Sequence, residues 1–449
     1  MRPTAHLPLH AAVGLAHALV DDVARRARVR ALFIKGPIAD AHRIRRPHPS
    51  SDADVLVDPR EADRLLALLA ERGWSVRPGS AAHRAFVTHS VTLLHPSWPC
   101  DIDVHTSWPG FFTDPQHAFE VLWRTRCEIE VAGVPVRASG VDAAVLVSAL
   151  HSLRSPHQRR SEEELDELVA AVAAQHREGA VAALAAELGC LEPIAPFLAR
   201  IGASVALPAR PSQQYALWRL RTRRPSRTAD WLLAVAEAPT LAERLVLLRR
   251  ALLPTRRDLV VDHPLAPRTA VARLGLRGRR FAAAAGALPV AVRDLVAVRR
   301  ARTEVRGAPD PRERTAEPRR SDAPPAPAPG GPAASSVGGV DGASAETTGH
   351  AVSASSRRPR TRAGVATMAT ADGLYLLPLG ARGPARPYLL QGAARLLWEL
   401  FSEQGCCTRA EAAAVVRDAH DLEALVAADA QADLDRLLDD LVELGLLTG

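Results

Sequence analysis

The stretch 31-ALFIKGPIADAHRIRRPHPSSDADVLVDP-59 decides how the first third of the chain is read. It opens on an apolar run of strand length, 30-RALFI-34, which Lys35-Gly36-Pro37 interrupts, and proline suits the first position of the helix that follows. In 52-DADVLVD-58 the run Val55-Leu56-Val57 argues for a buried strand, and a period of two puts Asp52 and Asp54 on one face. Lys35 is the only lysine among 57 basic residues, so this turn uses a side chain found nowhere else. A glycine turn ahead of a helix N-terminus favours an anion, and a compact, mobile ammonium suits phosphate in a way that arginine does not. Taken singly, Lys35 also reads as an isolated turn residue, and Asp-x-Asp as the solvated start of a strand.

A second cluster, 100-CDIDVHTSW-108, is again strand-like, with Asp101, Asp103 and His105 on one face and Ile102 and Val104 on the other. If this strand neighbours 52–58, three or more carboxylates converge. Adjacent carboxylates raise each other's pKa unless a cation lies between them, and Mg²⁺ or Mn²⁺ with a nucleoside triphosphate would supply that cation. His105 is open to two readings, a satisfied structural histidine or a further ligand.

Working outward, 449 residues suffice for two or three domains. A formal charge of +7 comes from scattered arginines, and aromatics at 4% offer no stacking platform, which argues against nucleic acid as a partner. Five cysteines without CxxC or Cys/His spacing fit a reducing, cytoplasmic setting. The N-terminal 26 residues read as an amphipathic helix rather than a signal peptide. No apolar run reaches the roughly 18–20 residues that span a bilayer.

Residues 1–140 alternate helix and strand signals: helices near 8–29 and 60–72, one opened by Pro37, and strands at 30–34, 52–58, 86–94, 100–105 and 128–136. The expectation is an α+β domain with a mixed sheet. Residues 141–302 read as an α-helical extension with candidates at 141–154, 162–188, 228–237 and 240–252. The Pro/Ala/Gly/Ser-rich segment 303–364 cannot bury enough surface to fold and reads as a disordered linker. Residues 365–449 read as a small separate unit of short strands followed by helices near 393–402, 408–418 and 429–445.

Strand, glycine turn, helix, Asp-x-Asp and a later Asp together resemble the polymerase-β-type nucleotidyltransferase superfamily. LFIKGPIADAHR, SDADVLV and IDVHTSW are closer still to a bacterial family of uncharacterised nucleotidyltransferases, over about residues 8–300. The resemblance implies that Asp52 and Asp54 hold metal and that Asp103 is the third carboxylate, with Asp101 and His105 as additional candidates. It places nucleotide at Lys35 and Gly36, with Arg43 beside them and Arg45 or Arg46 as further cations. One departure stands out, because the superfamily usually has Gly-Ser in the turn and Pro37 supplies neither hydroxyl nor N–H.

The last 85 residues resemble the PqqD-like recognition element of ribosomal peptide natural-product (RiPP) pathways, a winged helix-turn-helix that binds a precursor's leader. That resemblance places a peptide between Tyr388, Leu389 and Leu390 on the third strand and Leu434, Leu437 and Leu438 on the last helix. A DNA-binding winged helix fits less well, since Asp429, Asp433, Asp435, Asp439, Asp440 and Glu443 on that helix would repel phosphate.

Together the two resemblances imply a metal-dependent nucleotidyltransferase using an NTP, ATP first, and acting on a precursor peptide held by its leader, with other pathway enzymes as further partners. The alternatives are a non-catalytic leader-binding scaffold, or a nucleotidyltransferase acting on a small antibiotic or another protein.

Overall fold

The computed structural model describes residues 7–80, 89–156, 158–223, 227–252, 269–306, 364–403 and 427–444, with a few short pieces between them. In chain order the elements begin α1 (Leu9–Arg26), β1 (Ala31–Phe33), α2 (Pro37–Ala41), β2 (Asp52–Val57), α3 (Ala62–Glu71), β3 (Ser75–Val76), β4 (Ser90–Leu94) and β5 (Asp101–His105). Then come α4 (Pro115–Arg124), the hairpin β6 (Cys127–Val131) and β7 (Val134–Ala138), and α5 (Val141–Leu153). The helical extension contains α6 (Arg159–Ala174), α7 (Glu178–Glu187), α8 (Leu191–Arg200), α9 (Gln213–Arg223), α10 (Arg227–Glu237), α11 (Leu241–Leu252) and α12 (Ala270–Arg306). The C-terminal unit has β8 (Arg360–Thr361), β9 (Val365–Thr370), β10 (Gly373–Pro378), β11 (Tyr388–Leu390), α13 (Gly392–Glu403), α14 (Ala427–Glu443) and β12 (Leu447–Thr448).

Seven strands form one mixed sheet in the order β3-β4-β5-β2-β1-β7-β6, as the α+β reading expects. Strands β2 and β5 are parallel neighbours, as are β1 and β7, while the other pairs are antiparallel. Alternation along β2 and β5 sorts the side chains. Ala53, Val55, Val57, Ile102 and Val104 face a core with α1 and α3, and Leu56 joins Leu32 and Ile34 in a second core under α5 and the extension. Both faces are therefore covered, as the apolar run 55–57 requires.

Three local features differ from the sequence expectation. The segment 128–136 is a hairpin rather than one strand, turning at Ala132 (φ 54°) and Gly133 (φ 71°); alternation continues through a two-residue turn, so the pattern reads as unbroken. The helical run 162–188 is broken at His176 (φ 52°), which ends α6 and starts α7. Helix α4 is not among the expected helices, yet it buries Ala118, Phe119, Val121 and Leu122 on one face, and Asp114 caps it by accepting from the Gln116 and His117 amides, with Pro115 at its first position.

The linker read at 303–364 lies outside the described residues except at its ends, where 303–306 complete α12 and Arg360–Thr361 pair with β12. Of the helix expected near 408–418 only Glu411 and Val415 are described, both as helix, and the strand residues 86–88 fall outside the described residues.

The C-terminal sheet, ordered β11-β10-β9, has two apolar faces. One carries Leu374, Leu376 and Leu390 against α13 and α14. The other brings Ala366, Tyr375, Leu377 and Leu379 into the same core as α1, so the unit read as separate shares a core with the first domain. Helix α1 is buried on nearly every side because sheets flank it on two. At Gly14 an added Cβ would come within 2.9 Å of Met368 Sδ, so the close approach uses the missing side chain.

Within α1, His17 is fully buried and its Nδ1 donates to the Val13 carbonyl at 2.7 Å. Burial pushes this imidazole down to about 4, so the folded chain keeps it neutral. An unfolded histidine titrates near 6.5. As the pH falls from 6.5 towards 4, the unfolded chain binds a proton that the folded one refuses, and stability drops by up to about 3 kcal/mol. His17→Leu is expected to flatten that part of the pH profile in urea unfolding, and a profile unchanged from the unmodified chain would assign the loss to other groups.

Candidate active site

Parallel pairing of β2 with β5 builds the site. The register sets Asp52 opposite Asp101 and Asp54 opposite Asp103, and since paired residues point the same way all four carboxylates share the face under α5. The adjacency on which a joint site depends is therefore present.

The four are not equivalent. Asp54, Asp103 and His105 each offer a ligand atom within 4.8 Å of the others, whereas Asp52 is not one of that group. Asp101 is engaged by Arg77, a residue outside every sequence motif, which leaves Asp103 as the carboxylate at the centre.

His105 Nε2 donates to Asp54 Oδ1 at 2.9 Å. With that proton committed, Nδ1 carries a lone pair, and it is buried without a hydrogen-bond partner, as is Asp103 Oδ1. Two orphaned acceptors beside a buried carboxylate are costly unless a cation or donor joins them. The donor set, two carboxylates and an imidazole, fits a divalent ion.

Lys35 reaches the cluster from the end of β1. Its Nζ lies 2.7 Å from Asp54 Oδ2 and 5.4 Å from the Trp108 ring centroid. Burial would raise the Asp54 carboxyl, but Lys35 and His105 outweigh it and hold it well below the usual carboxylate range. It therefore contributes stability above about pH 4 that is lost only as the pH falls through its own lower value. Asp52 goes the other way, pushed up first by burial and then by the charge of Asp54. Divalent-ion affinity is expected to weaken as the pH drops from neutral through that raised value, because protons compete for Asp52. Asp52→Asn should remove this component from Mn²⁺ titrations run across pH 4–8; identical slopes in both proteins would exclude Asp52.

The turn differs from the expectation in one respect. Helix α2 is a single turn of five residues that begins with Pro37, too short to offer an anion its dipole and N–H groups. The structural reason for Gly36 is its backbone: φ is +60°, and a Cβ there would meet Ser50 Oγ at 3.1 Å. Arg45 closes the loop, donating to the Gly36 carbonyl at 3.1 Å and pairing with Asp40 at 2.7 Å. Arg46 pairs with Glu167 on α6. Arg43 is exposed in a left-handed turn (φ 55°).

Two side chains near the site carried no sequence signal of their own. Trp108 is buried, with its ring 5.0 Å from that of His105 and close to Lys35. His151 on α5 is exposed to solvent yet crowded by protein, and this desolvation with the charges of Lys35 and Arg154 pushes it down to about 4. Trp108 closes the stretch 100–108 without a role assigned to it there and His151 lies outside every motif; the packing of α5 and of the β5–α4 loop over the carboxylates brings both in.

Elsewhere, an apolar pocket of about 1000 Å³ lies among α10, α11 and α12, lined by Trp231, Leu248, Phe281 and Leu288 among others. No sheet residue lines it. In the C-terminal unit, Leu390 and Leu438 are buried in the core between strand and helix and are not available to a peptide, while Tyr388, Leu389 and Leu437 are half-buried. The side chain of Leu434 lies outside the described residues. No helix among the described residues is long and apolar enough to cross a membrane.

No family model and no curated protein matches the chain. Among solved structures, the antibiotic-resistance factor ANT(2'')-Ia is similar to 42% of this chain over 91% of its own, at 15% identity and a TM-score of 0.27. An antigenic nucleotidyltransferase-like protein from Paracoccidioides brasiliensis is similar to 43% of this chain over 94% of its own, at 10% identity and a TM-score of 0.28. Likenesses this distant leave the site to be read from its own geometry.

Proposed function

We propose that the protein is a metal-dependent nucleotidyltransferase that moves a nucleoside monophosphate from an NTP, ATP first, to a precursor peptide of a ribosomal peptide natural-product pathway. The observation that carries the reading is the in-register parallel pairing of β2 and β5, which sets Asp54 beside Asp103 with His105 attached. Asp54, Asp103 and His105 would hold Mg²⁺ or Mn²⁺, with Asp52 beside them. Such an ion supplies charge for the triphosphate and lowers the pKa of an acceptor hydroxyl.

The chain's own groups would do the rest. The acceptor oxygen bonds to the α-phosphorus, the bond from that phosphorus to its bridging oxygen breaks, and pyrophosphate leaves. Asp103 Oδ1, buried and unpartnered, would take the acceptor's proton. His105 fixes Asp54 through the Nε2 bond. Lys35, once released from Asp54, would be the cation that meets phosphate, since α2 is too short to do so. Trp108 and α5 cover the site, and excluding water strengthens each of these charge interactions.

The peptide half of the reading is supported by the outer edge of β11, with which no strand pairs among the described residues. Such an edge offers free N–H and C=O groups to an extended chain.

The test is transfer of label from each α-³²P-NTP, with Mg²⁺ or Mn²⁺, to synthetic copies of short peptides encoded beside the gene. Labelled peptide with the unmodified chain and none with Asp52→Ala supports the reading. Tight peptide binding with no label from any nucleotide would make the protein a recognition scaffold, and label on a small molecule or another protein alone would remove the peptide.

A further inference from the structure

A disordered linker at 303–364 would leave the C-terminal unit free to swing. Its contacts point elsewhere. Beyond the core shared with α1, the sheet is fastened at both margins. At one, the Thr367 amide donates to the Ala132 carbonyl at 2.7 Å, tying β9 to the β6–β7 turn. At the other, the β10–β11 loop lies on the α3–β3 turn and the β4–β5 loop. There the Ala385 amide donates to the Arg72 carbonyl at 2.9 Å, Arg72 donates back to the Ala381 carbonyl, and Trp98 Nε1 donates to the Ala385 carbonyl at 3.1 Å. The Gly380 amide donates to Asp22 on α1 at 2.9 Å. Ala385 is 1% exposed, so its two bonds form out of water, where each is worth most.

This fastening fixes where β11 stands. Its Tyr388 end follows directly on the loop bound by Trp98, and Trp98 lies on the connection that enters β5 at Asp101. Asp101 and its partner Asp52 mark one end of the parallel pair. A peptide strand added to the outer edge of β11, with which no strand pairs among the described residues, leaves one of its ends at the Tyr388 side in either direction, next to the loop that Trp98 holds.

We propose that the C-terminal sheet works while seated on α1, as a fixed platform: an extended peptide pairs with the outer edge of β11 and its continuing segment passes over the Trp98 rim to the Asp52/Asp101 end of the site. The platform rests on the peptide-transfer reading and adds a route and a fixed reach to it. An acceptor residue on the peptide then sits at a set distance from the paired segment, rather than anywhere a swinging tether allows.

The full-length double variant Gly133→Cys/Thr367→Cys tests it. A Cβ at 133 would lie 3.9 Å from Thr367 Cβ, within the separation a disulfide spans, and the reduced form of the same protein is the control for folding. Hydrogen exchange at the Thr367 and Ala385 amides of the unmodified chain gives a second readout that needs neither nucleotide nor peptide. The expected result is at least about a hundredfold protection of both amides, corresponding to seating worth about 2.7 kcal/mol. The disulfide should form readily, and the locked form should label the synthetic peptides within about twofold of the reduced form. Free exchange at both amides, or labelling lost on locking and restored by reductant, would overturn the platform alone. Protected amides with no labelled peptide in either form would bring down the transfer reading and the platform with it.

Discussion

Asp54→Asn is expected to lower nucleotidyl transfer by roughly a thousandfold or more and at the same time to destabilise the chain. The two effects have different origins. Activity falls because the most buried carboxylate of the cluster, 3% exposed, loses the charge that would face a metal. Stability falls because Lys35, 2.7 Å from Asp54, keeps its charge and loses its counterion. Breaking a buried pair from one side costs about 3–5 kcal/mol. The Lys35 side chain is 21% exposed, which puts the expected loss at the lower end or somewhat below it. Urea unfolding and label transfer on the same preparation separate the two. Full activity in the variant would exclude Asp54 from the reaction, and unchanged stability would mean that Lys35 finds solvent or another carboxylate without cost.

Lys35→Met should move metal binding and transfer in opposite directions. In the resting site the ammonium occupies the carboxylate that a divalent ion would need, so binding the ion means displacing it. Without the lysine, Asp52, Asp54 and Asp103 repel one another unrelieved. Mn²⁺ affinity is then expected to rise by at least about tenfold, since one unit charge a few ångströms away is worth more than 1.4 kcal/mol at an intermediate dielectric. Transfer should fall by about a hundredfold or more, because the phosphates lose their cation. Lys35→Arg should restore little, the guanidinium being planar and too large for a position 2.7 Å from Asp54 and beneath Trp108. A variant in which metal affinity and transfer fall together would show Lys35 to be structural support for Asp54 instead.

The sequence stretch that opens on Ala31 carries most of what proved readable. Its two apolar runs became β1 and β2, and the alternation in 100-CDIDVHTSW-108 set Asp101, Asp103 and His105 on one face of β5. Periodicity reports faces, and faces are local. It is silent on which strands are neighbours, so the convergence of Asp54 with Asp103 waited on the register. It is equally silent on partners from distant segments: Arg77 draws Asp101 out of the cluster, and Trp108 reaches Lys35 through a loop. Pro37 marks where a helix begins and carries no information on its length, so the single turn of α2 could not be foreseen. The docking of β9–β11 on α1 left a trace that is clear only afterwards, in a helix apolar on nearly every side.

That helix also sets an order of events during synthesis. Helix α1 leaves the ribosome well before the strands that cover its outer face, which lie beyond residue 364. Until those strands emerge its apolar outer face waits uncovered, and a protein cut short after the helical extension would expose it for good. Such a fragment is expected to be sticky and to need a chaperone. The stability of the first domain is thus completed by residues made long after it.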